Sequence, residues 1–235
     1  MSSKCSYSKG KWQCHLDSSN GSNLCCLHDS DVESPVEILQ SLVRLSQLDE
    51  TLLMGYLLRN LDVSKHLSIK FLNKQFDSGN WSQSKFVSTF FTDCTFRNLV
   101  FEGINLDRCV LEEFYIKNCE FYDFNDSGSN WIRGSLENIK STACKFYFNG
   151  STIRNCLMSN CEWQNLHAFN CELQEIYFAD CSIQEGYFSH CNFTKCKFEG
   201  NMGILVLEDC NLIDCEFDNS EDDFLVSKLN CKSFT

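Results

Sequence analysis

Large apolar residues recur at every fifth place through most of the chain. The series runs Phe76, Trp81, Phe86, Phe91, Phe96, Phe101, Leu106, Leu111, Ile116 and Phe121. It lapses at Asp126, resumes at Trp131 and Leu136, lapses again at Ser141 and returns at Phe146. A shifted phase starts at Ile153 and passes through Met158, Trp163, Ala168, Leu173, Phe178, Ile183, Phe188, Phe193 and Phe198. Leu207, Leu212 and Phe217 close it. A helix repeats its face about every 3.6 residues and a strand about every 2, so neither explains a period of five. The two changes of phase predict a bulge or small loop between Asn138 and Ala143 and a second irregularity near Met202–Val206.

The place two residues before each large residue is mostly small. Cys94, Cys109, Cys119, Cys144, Cys156, Cys161, Cys171, Cys181, Cys191, Cys196, Cys210 and Cys215 occupy it, with Ser84, Thr89, Ser129, Gly134, Ser151 and Gly186 in the same phase. Leu99, Ile104, Phe114, Leu166, Ile176 and Leu205 are larger exceptions. Two inward places in every five define a regular coil. The large residue fills the interior, and the small one lets the backbone turn closely beside it. Such units cannot bury a face alone and must stack on their neighbours.

The small–polar–Leu/Phe pattern over roughly residues 71–218 resembles the pentapeptide-repeat family. The resemblance implies an all-β solenoid, a right-handed quadrilateral β-helix with four pentapeptides per coil and about seven coils. Cys171 is then expected over Cys191, and Cys161 over Cys181. Stacked main chains about 4.8 Å apart do not exclude a disulfide, but the regular placement, together with the expected lack of a secretory signal, favours free thiols acting as small apolar groups.

The ends of a stacked coil expose strand edges that need covering. Residues 34–70 are read as a helical cap or linker. Ser34 suits an N-cap, Pro35 the first helical position and Glu37 a capping box, with Ile38, Leu42 and Leu45 on one apolar face. A second helical segment is expected from Asp49, carrying Leu52, Leu53, Tyr56 and Leu57, although Gly55 weakens it. Residues 219–235 are read as a C-terminal cap, with a short helix from Ser220 carrying Phe224, Leu225 and Leu229. The family resemblance also implies that such an end can form a homodimer.

Residues 1–33 lie outside the five-residue phase. Cys5, Cys14, Cys25 and His28 form the best ligand set for a structural Zn2+ ion, because soft sulfur and imidazole ligands suit zinc and polar surroundings argue against a core role. Cys26 and His15 are alternative ligands. The arrangement also resembles the cysteine–histidine header found before some pentapeptide-repeat domains.

The 235 residues carry a formal net charge of -12, with twenty phenylalanines, seventeen cysteines and one proline. A polyanion is expected to repel nucleic acid and to favour a basic protein partner. No apolar run is long enough for a membrane helix, and the first residues lack the apolar stretch of a secretory signal. A cytoplasmic protein with no membrane attachment is expected.

The sequence contains no G-x-G-x-x-G, Walker A, H-E-x-x-H or G-x-S-x-G motif. No organic cofactor is expected, and the histidines are few and scattered. The reading is therefore a non-catalytic scaffold or protein-interaction module. One alternative, implied by family members that act on DNA gyrase, is an acidic DNA-mimic modulator of a topoisomerase. Its candidate surface is Glu208, Asp209, Asp214, Glu216, Asp218, Glu221, Asp222 and Asp223, while Lys140, Lys145, Arg154, Lys195 and Lys197 interrupt a simple acidic stripe. A metal- or redox-responsive regulatory protein is the other alternative.

Overall fold

The computed structural model describes residues 4–9, 12–14, 16, 18, 24–28, 35–47, 52–59, 69–217 and 224–234. Short parallel strands follow the five-residue phase around four faces. On the first face lie strands such as Gln75–Asp77, Thr95–Arg97 and Tyr115–Lys117; on the second, Asn80–Ser82, Val100–Glu102 and Glu120–Tyr122. The third carries Lys85–Val87 and Asn105–Asp107, and the fourth Phe90–Thr92 and Val110–Glu112. Phe96 pairs with Phe76 in the preceding coil and with Ile116 in the next, a step of twenty residues. Four pentapeptides therefore complete each coil, and the architecture is a parallel, four-sided β-solenoid.

Each face turns into the next through a corner residue three places before the large apolar one. Asp93, Asn98, Asn118 and Asn138 sit there with φ of 51°, 52°, 52° and 53°. This left-handed conformation is least costly for Gly, Asn and Asp. The corner amide then bonds across the coils, as Asn98 N donates to Lys117 O at 3.1 Å. The recurrent Asn, Asp and Gly at this place were a readable signal that the hydrophobic phase alone overlooks.

Inside, rings stack from coil to coil. Phe76 and Phe96 lie 5.2 Å apart at 10°, and Phe178 and Phe198 4.5 Å apart at 7°. Burying each large side chain contributes about 2 kcal/mol. The cysteines serve the corners. Cys119 is buried and its thiol donates to Phe96 O at 3.6 Å and Lys117 O at 3.3 Å. A small side chain with a weak donor thus fits a place lined by main-chain carbonyls, and burial pushes the Cys119 thiol up to about 12. The larger exceptions are accommodated by neighbours: a Cβ on Gly134 would fall 2.1 Å from the Phe114 ring.

The two lapses of phase are lapses of hydrophobicity, not of position. Asp126 and Ser141 both occupy inward places and are buried. Asp126 accepts hydrogen bonds from Trp131 Nε1 at 3.1 Å and Ser151 Oγ at 2.6 Å. The expected bulge falls between Ser141 and Lys145, where the register shifts, and the next coil pairs Leu136 with Met158. The second irregularity lies opposite Gly203, where a Cβ would sit 1.7 Å from Ile183 O. Between them the second and third faces share long strands, Lys140–Asn149, Glu162–Phe169, Ser182–Ser189 and Met202–Glu208, because no left-handed corner interrupts them at Asn165 or Glu185.

Two helical expectations are overturned. Helix α1 (Pro35–Gln47) forms and buries Ile38, Leu39, Leu42 and Leu45, but it is the single helix among the described residues. Leu52–Met54 and Leu57–Arg59 are strands that pair with Gln75–Asp77 and Asn80–Ser82. Phe224–Leu229 is likewise a strand, paired with Gly203–Glu208. In both cases the unsatisfied edge of the coil supplies hydrogen bonds that outweigh weak helix propensity. Ser34, Asp49 and Ser220, proposed to start these helices, lie outside the described residues.

Cys171, Cys181 and Cys191 are buried, whereas Cys215 and Cys231 at the C-terminal end are half-buried. A hydrogen bond from the Cys196 thiol holds Cys215 down to about 7, against the opposing effect of burial. Native-state alkylation read by peptide mass spectrometry is expected to label Cys215 early and the three buried thiols slowly. Rapid labelling of Cys171, Cys181 and Cys191 would contradict the inward ladder.

Candidate metal centre

A two-stranded antiparallel hairpin, Ser8–Lys9 with Trp12–Gln13, carries the first two sulfur ligands at its open end. Cys5 N donates to Leu16 O at 2.9 Å and Cys14 N to Tyr7 O at 3.0 Å. The hairpin explains the long interval between Cys5 and Cys14, because the chain runs out and back between them. A turn closed by His28 N to Cys25 O, 2.9 Å, supplies the other pair. The four ligand atoms lie within 4.8 Å of one another, and all four side chains are buried. Among the described residues this is the one group of three or more such side chains within reach of a single ion.

Its dimensions fit zinc. Tetrahedral bonds of about 2.3 Å to sulfur and about 2.05 Å to nitrogen separate two sulfurs by about 3.8 Å and a sulfur from a nitrogen by about 3.5 Å. Cys14 Sγ and Cys25 Sγ are 3.8 Å apart, and Cys5 Sγ lies 3.5 Å from His28 Nδ1. Cys25 Sγ is slightly closer to that nitrogen, at 3.2 Å. Cys25 N donates to Cys5 Sγ at 3.1 Å, an orientation that supports a thiolate. The Cys25 thiol hydrogen-bonds Cys14 and holds it down to about 4, while the same contact and burial push Cys25 far up. Two adjacent buried sulfurs do not both ionise without a cation beside them; a divalent ion would remove that conflict.

The site is built onto the coil. His28 stacks on Tyr7 at 3.8 Å and 7°, and meets Tyr56 at 4.7 Å. Tyr56 follows the first coil strand; its carbonyl accepts from Asn80 N at 3.1 Å, and its hydroxyl lies 3.9 Å from Cys14 Sγ. A Cβ on Gly55 would fall 2.0 Å from Tyr7 Oη, so the hairpin rests directly on the coil's backbone. The sequence pattern assigns Tyr56 to the expected second helix and gives Tyr7 no role, because only the folded hairpin brings both rings to the ligands.

Cys26 is turned away from the cluster. Its thiol lies 3.0 Å from Ser41 Oγ and donates to Glu37 O at 3.4 Å, so it ties the turn to α1. His15, the other alternative ligand, lies outside the described residues. The acidic candidates do not form one stripe. Glu208 is half-buried and accepts from the Tyr187 hydroxyl. Asp209 and Asp214 are exposed corner residues on different edges, and Glu216 lies on the first face. Asp218, Glu221, Asp222 and Asp223 lie outside the described residues. Glu112 and Glu113 face water and share Arg133.

The coil, its corners and its five-residue phase define a pentapeptide-repeat-like β-solenoid with a Cys3His cluster poised to chelate a metal. No family model matches the sequence, and no curated protein matches it. Solved structures similar to it include HetL, a pentapeptide repeat protein involved in heterocyst differentiation regulation from the cyanobacterium Nostoc sp. strain PCC 7120. The match has a TM-score of 0.46 at 12% identity and covers 84% of this chain and 93% of that one. Full-length QnrB1, a plasmid-mediated fluoroquinolone resistance protein, matches with a TM-score of 0.40 at 16% identity, over 77% of this chain and 93% of that one. Neither likeness bears on function; the fold is defined by the register and faces described above. No described helix is long and apolar enough to cross a membrane.

Proposed function

We propose that the chain is a non-catalytic protein-interaction scaffold whose N-terminal end is held by a structural zinc centre. The observation that carries this reading is the division of the coil. Inward places are spent on packing, while outward places form ordered ladders of charged and aromatic side chains on stacked coils. Tyr115 and Lys117 both hydrogen-bond Glu137 one coil away, and Tyr177 and Lys197 converge on Glu199. Such surfaces are rigid and repetitive, which suits recognition by a protein surface. The Cys3His set would hold zinc with four protein ligands, the closed arrangement of structural sites, and zinc would supply cross-linking there rather than an open position for a substrate.

Protein purified without an affinity tag is expected to carry one tightly held zinc per chain by mass spectrometry. Cys25→Ala or His28→Ala should lower occupancy and loosen the hairpin while the coil stays folded. Cys26→Ala should keep the metal, since Cys26 bonds Ser41 instead. Full zinc retention in both ligand variants would reject the set.

An unbiased pull-down at two salt concentrations tests the scaffold reading, which requires a protein partner and no turnover. Exposure of Asp209, Asp214 and Glu216 favours a second reading, an acidic surface that occupies a basic DNA-binding protein such as DNA gyrase. Charge reversal at Asp214 and Glu216 should then weaken recovery of gyrase and relieve inhibition of supercoiling. If gyrase neither binds nor changes activity at low salt, the second reading falls.

A further inference from the structure

Several outward rings of this coil lie under cations from the same chain. Lys70 Nζ lies 5.4 Å from the centre of Phe90, Arg97 5.7 Å from Tyr115 and Lys197 5.4 Å from Tyr177. One aromatic group differs. Tyr147, His167 and Tyr187 stand in register on three successive coils, with Phe169 beside them. Phe169 is 5.3 Å from Tyr147 and 5.5 Å from Tyr187, and His167 is 6.0 Å from Tyr187. Among the described side chains, no lysine or arginine lies over Phe169 or Tyr187.

The strip lies where the second and third faces share long strands, so its backing is broad and flat. Its charged neighbours near the C-terminal end are carboxylates. Glu185 is exposed on the same side of its strand as Tyr187, two residues away. Glu208 accepts from the Tyr187 hydroxyl, and exposed Asp209 lies 3.9 Å from His190 Nε2. Aromatic faces beside carboxylates attract cations, and a planar guanidinium both stacks on a ring and forks onto a carboxylate. The formal charge of -12 adds a general attraction for a basic chain and repels nucleic acid.

We propose that this strip docks an extended, arginine-bearing segment of a protein partner, with guanidinium groups over Phe169 and Tyr187 and against Glu185 and Asp209. The proposal rests on the scaffold reading and names the partner's chemistry. Successive outward positions on neighbouring coils lie about 4.8 Å apart, so more than one arginine of an extended segment can engage the strip.

The probe is a fluorescent arginine–glycine repeat peptide, followed by anisotropy against the full chain at low and moderate salt. A citrulline–glycine peptide of equal length keeps the shape and removes the charge. The arginine peptide is expected to bind and the citrulline peptide to fail. Phe169→Ala with Tyr187→Ala should weaken binding about tenfold or more, as expected for the loss of two cation–ring contacts. Its thermal melt reports that the coil is intact, and Phe169→Leu with Tyr187→Leu repeats the test with better filling. Glu102→Gln and Glu120→Gln, acids on the second face, should change binding little. Equal binding of the citrulline peptide, unchanged affinity in both ring variants, or the same loss from the second-face acids would overturn the proposal. A partner recovered by pull-down that still binds the ring variants would leave the scaffold reading standing and remove this one. Peptide binding at the strip with no protein partner recovered would do the reverse.

Discussion

Phe178→Asp is expected to unfold the coils around it. Phe178 is 1% exposed, stacks on Phe198 at 4.5 Å and meets Trp163 edge-on at 6.0 Å. Removing a buried phenylalanine costs about 3–5 kcal/mol, and placing an unpaired carboxylate in the space adds several kcal/mol more. Together these approach the whole stability of an ordinary domain, about 5–15 kcal/mol. Because each coil contacts only its neighbours, the damage should centre on the two adjacent coils. Hydrogen exchange should then show lost protection near Met158 and Phe198 before it reaches Phe96. Phe178→Leu, which keeps an apolar group, should lower the melting temperature only modestly. A Phe178→Asp protein that melts like the wild type would show that the ring faces water.

Replacing Asp126 by Asn should stabilise the protein at neutral pH. The carboxyl group is 1% exposed, and burial pushes it up to about 6, although hydrogen bonds from Ser151 and Trp131 oppose the shift. One of its oxygens, Oδ1, has no hydrogen-bond partner among the described groups. An unfolded aspartate titrates at about 3.9, so the folded state binds the proton more tightly. The stability contributed by protonated Asp126 is therefore fully present below about pH 4 and is lost as pH rises through about 6. A displacement of about two pH units corresponds to roughly 3 kcal/mol. Asparagine keeps a carbonyl oxygen for Trp131 and Ser151 but puts an amide nitrogen where Oδ1 stood, which reduces the gain. Denaturant titration should show Asp126→Asn more stable by about 2 kcal/mol near pH 7.5 and no more stable near pH 4. Parallel pH profiles for the two proteins would mean that Asp126 does not titrate in the interior.

Asp126 also marks a limit of pattern reading. Hydrophobicity lapses there, yet the backbone phase continues and the side chain points inward. Its partner Ser151 belongs to the next coil, and nothing within five residues of Asp126 reveals that contact. The acidic run after Leu207 has the opposite history. It is clustered in sequence, but successive corners turn Glu208, Asp214 and Glu216 to different parts of the coil, so closeness along the chain is not closeness on the surface.

The five-residue phase alone determined the coil, its inward residues and the site of its main bulge, because each pentapeptide repeats one local geometry: a corner, a small residue and a large one. Spacing and chemistry also singled out Cys5, Cys14, Cys25 and His28, since soft ligands in a polar segment have few other uses. Tertiary structure decided what depends on partners distant in the chain. It made strands of Leu52–Met54, Leu57–Arg59 and Phe224–Leu229, because an open parallel edge offers hydrogen bonds that local propensity cannot anticipate. It sent Cys26 to Ser41 while its neighbour Cys25 joined the cluster, because adjacent residues in a turn project in different directions. It also gathered Tyr147, His167, Phe169 and Tyr187, for residues about twenty places apart become neighbours only when one coil stacks on the next.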